Sequence, residues 1–251
     1  MTLESVFIYT LLDWIDLEKL NWNYLSLNPN AIQLLEKNLD KICWQYLSGN
    51  PNAIHLLEQN SGKIDWNMIS ENPNAIHLLE QNPEKIDWTG LSENPNAINL
   101  LERNPEKVSY QYLSKNPNAI HLLEAKPKNI NWFMLSSNPN ALHLLERSPE
   151  KIDWVVLSTN RNAIHLLENN PDEIYWNLLS RNSNAMHLLE RSPEKINWCE
   201  LSSNPSIFKK VINYEYLYQR MNIIREELMM KCMHPRRLER FIEMGGDIDD
   251  F

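Results

Sequence analysis

Asn72-Pro73-Asn74-Ala75-Ile76-His77-Leu78-Leu79-Glu80-Gln81-Asn82-Pro83-Glu84-Lys85-Ile86-Asp87-Trp88-Thr89-Gly90-Leu91-Ser92-Glu93 is one copy of a 22-residue unit, and it decides the fold. An Asn recurs at 28, 50, 72, 94, 116, 138, 160, 182 and 204 with no insertion or deletion. Eight full units run from 28 to 203, a degenerate half unit precedes them, and a ninth begins at Asn204. Positions within a unit are numbered from that Asn. Leu-Leu-Glu fills positions 7 to 9 of all eight full units, and Trp fills position 17 of all but one, where Tyr110 stands. A fixed period of this kind is the signature of a repeat architecture.

Each unit carries two helix starts. Asn72-Pro73 reads as an N-cap followed by N1, where a proline loses nothing because its missing N–H would be unbonded anyway. Ala75, Ile76, Leu78 and Leu79 follow at helical spacing, and Asn82-Pro83 stops that helix after about nine residues. Asp87 and its equivalents Asn21, Asp65, Asn131, Asp153 and Asn197 cap a second, shorter helix carrying Trp88 and Leu91. Period-2 alternation is absent, and two prolines per unit would break strand ladders.

Helices this short are marginal alone. Ordering 22 residues costs roughly 33 kcal/mol, which takes roughly 1300 Å² of apolar burial to offset. One unit cannot supply that, so burial against its neighbours must. The expected fold is an all-α solenoid of 22-residue, two-short-helix repeats with helical caps at both ends. Residues 1–27 are expected to hold an N-terminal capping helix (Ser5 to Leu12) and the half repeat. Residues 28–206 hold the array, and residues 207–251 a C-terminal helical cap. In that cap Tyr214 to Cys232 forms one helix, His234-Pro235 starts another, and Gly245-Gly246 ends it.

Composition narrows function. The 251 residues carry a formal charge of -9, which disfavours a phosphate-binding surface. Five glycines exclude a Gly-rich phosphate loop. Cys43, Cys199 and Cys232 are too few and scattered for a disulfide framework or a four-ligand zinc site, and fit a reducing compartment. Val6 to Leu12 is apolar but lacks the features of a signal peptide.

The repeated polar residues read as structural. His77, His121, His143 and their counterparts form a row whose roughly 10 Å steps are too long for shared metal ligation. The Glu row is assigned to solvated helix ends or bonds to neighbouring backbone. Asn74, Asn96 and Asn118, at position 3, are expected to form a hydrogen-bonded ladder between units. Trp66, Trp88, Trp132 and Trp154 are expected to stack in the core. No catalytic residues, metal ligands or cofactor are expected, and no enzyme. The variable positions 18, 19 and 22 are the candidate partner face. On it Tyr46, Met68, Tyr112, Phe133, Met134, Val156, Leu178 and Glu200 are the candidate contacts.

The unit NPNAIHLLEQNPEKIDW-x-x-LS resembles short-repeat proteins of giant nucleocytoplasmic DNA viruses of amoebae and algae. So do the flanking segments Leu11-Leu12-Asp13-Trp14-Ile15 and Met233-His234-Pro235-Arg236-Arg237, and Gly245-Gly246-Asp247-Ile248-Asp249-Asp250. The resemblance implies an intracellular viral product in host cytoplasm or the particle, and it transfers no catalytic residues. The expected function is a non-enzymatic scaffold with a viral or host protein partner and no nucleic acid or membrane. Oligomeric state is left open. The alternative is a lipid-coating amphipathic repeat, but that needs one long helix per unit with a basic border. A base-per-repeat RNA reader should be basic, and this array is acidic.

Overall fold

A computed structural model describes residues 6–232 and 234–245. It divides into two units, Leu11–Lys209 and the flanking segments on either side of it. The larger is an all-α solenoid. Each copy contributes an α-helix carrying Leu-Leu-Glu (Ile76–Gln81 in the quoted unit), a 3-10 turn (Pro83–Lys85) and an α-helix opened by Trp (Trp88–Glu93).

Local signals set these elements. Asp65, Asp87 and Asn197 each accept bonds from two backbone N–H groups of the following Trp helix. The position-1 Asn does not start an α-helix directly. It opens a tight turn: Asn72 Oδ1 accepts from the Asn74 N–H, Asn72 C=O accepts from the Ala75 N–H, and the helix begins only at Ile76. The core is Ala at position 4 and Leu at positions 8 and 20, as in Ala75, Leu79 and Leu91, all without solvent exposure. Small Ala and Ser side chains let neighbouring units approach closely.

The Trp row is not the buried stack expected of it: these rings are half-buried. A lysine ammonium from the next unit covers each of most of them, for example Lys85 over Trp66 at 4.4 Å and Lys151 over Trp132 at 4.4 Å. The cation takes the place a neighbouring ring was expected to fill.

The array is not open. The Trp helices of successive copies pack on one another, and Trp198–Ser202 packs in turn on Trp22–Leu27. The Asn28 side-chain amide donates to the carbonyls of Ser202 (2.9 Å) and Asn204 (2.8 Å), as Asn72 does to Ser48 and Asn50. Nine copies therefore close into a ring, each step turning the chain through one-ninth of a circle.

The ninth copy is composite. Asn204–Ile207 supplies positions 1 to 4 and Leu17–Leu27 supplies positions 12 to 22. Leu12 N–H donates to Ile207 C=O at 2.9 Å, and the Trp14 indole donates to Glu190 at 2.9 Å. Helical caps over exposed array ends were expected, but a closed ring has no end face to cover.

The expected helix at Ser5 to Leu12 is also corrected. Ser5 lies outside the described residues, and β1 (Phe7–Leu11) is a strand paired with β2 (Phe208–Ile212). Phe, Ile, Tyr and Thr in succession favour extended backbone. In the smaller unit, helices occupy Tyr214–Cys232 and Pro235–Glu243, the latter capped by His234. Gly245 follows with φ +88, a left-handed conformation suited to glycine at a helix end. Met233 and residues 246–251 lie outside the described residues. Tyr218, Met221, Leu228 and Met230 stand exposed on the longer helix.

Candidate functional site

Three hydrogen-bond ladders run round the ring, and together they use the invariant polar residues. In the first, the buried Asn at position 1 donates to the position-1 carbonyl of the preceding copy and to the position-21 carbonyl of the copy before that, nine times over (Asn50 to Asn28 and Ser26, through to Asn28 to Asn204 and Ser202). In the second, Ser at position 21 donates to the carbonyl of the aromatic residue four back. Its oxygen accepts the position-16 N–H of the next copy, as Ser70 does with Trp66 and Asp87. The same bond links Ser202 to Asn21 across the composite copy at 2.8 Å.

In the third ladder, Asn at position 3 donates to the carbonyl at position 2 of the preceding copy. Asn74, Asn96 and Asn118 reach Pro51, Pro73 and Pro95, each at 2.8 Å. The reading from sequence found this third ladder and missed the first. Capping alone accounted for the position-1 Asn, so its amide nitrogens carried no further signal.

The His and Glu rows join each other. His77 Nε2 lies 3.2 Å from Glu58, His143 3.3 Å from Glu124, and His121 3.6 Å from Glu102, with both partners roughly half-exposed. The Glu row was assigned to solvated ends or backbone; it is the imidazole of the next copy that engages it. Exposed pairs of this kind contribute little, about 0–1 kcal/mol each.

The consensus is thus spent on the wall, and the variable positions are left over. On a Trp helix, positions 17, 20 and 21 face the wall. Positions 18, 19 and 22 share the opposite face by their i, i+3 and i, i+4 spacing. Position 18 is exposed in every copy and position 19 half-buried in all but one, where Gly90 is buried. Tyr46, Met68, Tyr112, Met134, Val156, Leu178 and Glu200 all occupy position 19, and Phe133 position 18. Tyr46 stacks on Tyr24 with centroids 5.6 Å apart. Gly90 fits because a Cβ there would meet the Asn67 carbonyl at 3.1 Å.

This face points to the middle of the ring, and charge reaches across it. Glu71 and Arg181 belong to opposite copies, yet Arg181 is among the charges acting on the Glu71 carboxyl. Crowding by the inner wall raises the Glu71 pKa above 4.5. Glu93 raises it further, while Lys115 and Arg181 oppose the shift. Glu71 is exposed to solvent, and the protein gathered around its carboxyl weakens the solvation of the charge. Lys115 pairs with the largely buried Glu93 carboxylate. The Tyr24 phenol is also raised, first by the Glu200 carboxylate and then by burial.

One sector differs from the rest. Arg161 and Ser183 stand where other copies have proline, and both line a cavity of about 210 Å³ with Ser137, Pro139, Thr159, Arg181 and Pro205. Arg181 Nε lies 3.5 Å from Glu200 Oε2, and that buried oxygen has no hydrogen-bond donor among the described residues. Arg161 forms no ion pair among the described residues. The same copies carry the exposed apolar residues Phe133 (51% exposed) and Val155 (44%). Arg161 and Ser183 lie a full unit apart in the sequence, and only the fold brings them together.

A family model described as periplasmic copper-binding protein (NosD) matches residues 16–216. No curated protein and no solved structure matches. The copper in that description was tested against the donors here. Among the described residues, no three of His, Cys, Asp and Glu come together. The His–Glu pairs offer two donors each, and Cys43 and Cys199 are both free. The described residues therefore assemble no copper centre of the three- or four-donor kind. The matched span nonetheless covers nearly all of the ring, and by it the chain belongs to the NosD family.

Proposed function

We propose that the ring is a non-enzymatic scaffold that holds a protein partner against its inner face. One observation carries this reading: the residues free to vary between copies share one face of the Trp helices. The copies between 116 and 205 concentrate there the exposed apolar side chains Phe133 and Val155 and Arg181, with Arg161 lining the adjoining cavity. Aromatic, Met and Arg residues are the types enriched at interface cores. The favoured partner presents an apolar segment beside a carboxylate, seating on Phe133, Met134 and Val155 and pairing with Arg161 and Arg181. The resemblance to giant-virus repeat proteins supports a place in host cytoplasm or the particle.

The test is quantitative capture from amoebal or algal lysate with four baits. The parent should retain a partner. Phe133→Ser/Val155→Ser and Arg161→Ala/Arg181→Ala should each lose most of it, and His143→Ala on the wall should not. Equal retention by all baits, or no specific partner on the parent, overturns the reading.

A further inference from the structure

The aromatic row at position 17 holds a second kind of site. In eight of its nine places an ammonium of this chain lies over the ring. Seven are lysines at position 14 of the next copy, among them Lys41 on Trp22, Lys63 on Trp44 and Lys107 on Trp88, at 4.5, 4.2 and 4.4 Å from the centroid. Around the composite copy Lys19 covers Trp198 at 5.0 Å. Where Tyr110 replaces Trp and position 14 is Asn129, Lys126 reaches in from another position, at 4.8 Å. The cation is thus supplied even where the pattern is broken.

Trp154 is the exception. The residue due to cover it is Glu173, and among the described residues no cation lies over its ring. The turn that carries Glu173, Pro171–Glu173, has acids at both of its last two positions and no basic residue. Tyr175, two residues on, is 43% exposed. A carboxylate is repelled by the negative face of an indole, so Glu173 cannot take over the lysine's contact. The turn that brings a cation to the other rings therefore brings two acidic residues to Trp154 instead.

We infer that Trp154, Glu173 and Asp172 form a binding site for an alkylammonium group, namely a lysine side chain of a partner protein. The eight occupied rings show the geometry such a group adopts on this scaffold. The ligand would restore the missing cation from outside while pairing with Glu173. An ammonium on an aromatic face is attracted by the ring quadrupole, more strongly where a carboxylate shares it. This site is separate from the inner face and does not depend on the scaffold reading.

The test uses protein with nitrogen-labelled tryptophan, and Trp154→Phe identifies the Trp154 indole signal. Titration with Nα-acetyl-lysine-N-methylamide should shift that signal saturably, in the millimolar range expected for one side chain. The neutral analogue Nα-acetyl-norleucine-N-methylamide should not shift it. Glu173→Lys fills the site from within and should abolish the response. Its other indole signals should stay in place, which separates a filled site from a misfolded one. No shift with the lysine compound, an equal shift with norleucine, or a shift that persists in a folded Glu173→Lys protein overturns the inference.

Discussion

Two parts of the ring do the same job with different connectivity. From Asn28 to Ser203 each copy is one continuous stretch of chain. The ninth is assembled from Asn204–Ile207 and Leu17–Leu27, residues nearly 180 apart. Yet the bonds match: Asn28 donates to Ser202 and Asn204 at 2.9 and 2.8 Å, and Asn116 to Ser92 and Asn94 at 3.0 and 2.7 Å. Side-chain amides bonded to backbone can therefore replace peptide continuity. At the junction the side chains differ: Ile207 takes the buried place of Ala, Ser206 that of the position-3 Asn, and Trp14 donates to Glu190 in the place His takes in most copies.

The largest expected effect tests whether that equivalence is energetic. Asn28→Ala and Asn116→Ala each strand two buried carbonyls, so each should cost about 2–4 kcal/mol in denaturant unfolding. In an open array Asn28 would sit at an end and its loss would be nearly silent. A cost for Asn28→Ala well below that of Asn116→Ala breaks the comparison. A smaller effect sharpens it. Asn30 reaches Pro205 across the junction at 2.9 Å, as Asn74 reaches Pro51 at 2.8 Å. Asn30→Ala and Asn74→Ala should each lower stability by about 0.5–1.5 kcal/mol, read as matched falls in melting temperature.

The smallest effect concerns the middle of the ring. The raised Glu71 pKa means that its charged form is disfavoured in the folded state. That cost is fully present above the folded pKa and absent below the unfolded value, where the group is protonated in both states. Glu71→Gln should therefore raise the melting temperature slightly at neutral pH and leave it unchanged near pH 4. A gain that persists in acid would mean that packing, not charge, is responsible.

Much of the wall was legible in the sequence, because helix caps and apolar spacing are local. Asp87 before Trp88 and Asn74 at a poor helical site each carried their signal alone. Closure was not legible, since the same unit serves an open spiral or a ring. The turn per copy comes from how closely Ala75, Ser92 and Asn72 let neighbours approach, and that is set by packing rather than pattern. Nor could the sequence show that Arg161, Arg181 and Ser183 meet. The strand at Phe7–Leu11 did have a signal, its run of β-favouring side chains, which its apolar character masked.

Circularity also bears on how such a chain can change its length. An open stack tolerates one copy more or fewer, because its end simply moves along. Here Asn28 finds its acceptors only after a complete circuit, so an added or deleted copy would carry the last carbonyls past or short of that amide. Even a one-residue slip inside a copy would shift every rung after it. The unbroken spacing of the nine asparagines is what a molecule that must meet its own tail requires.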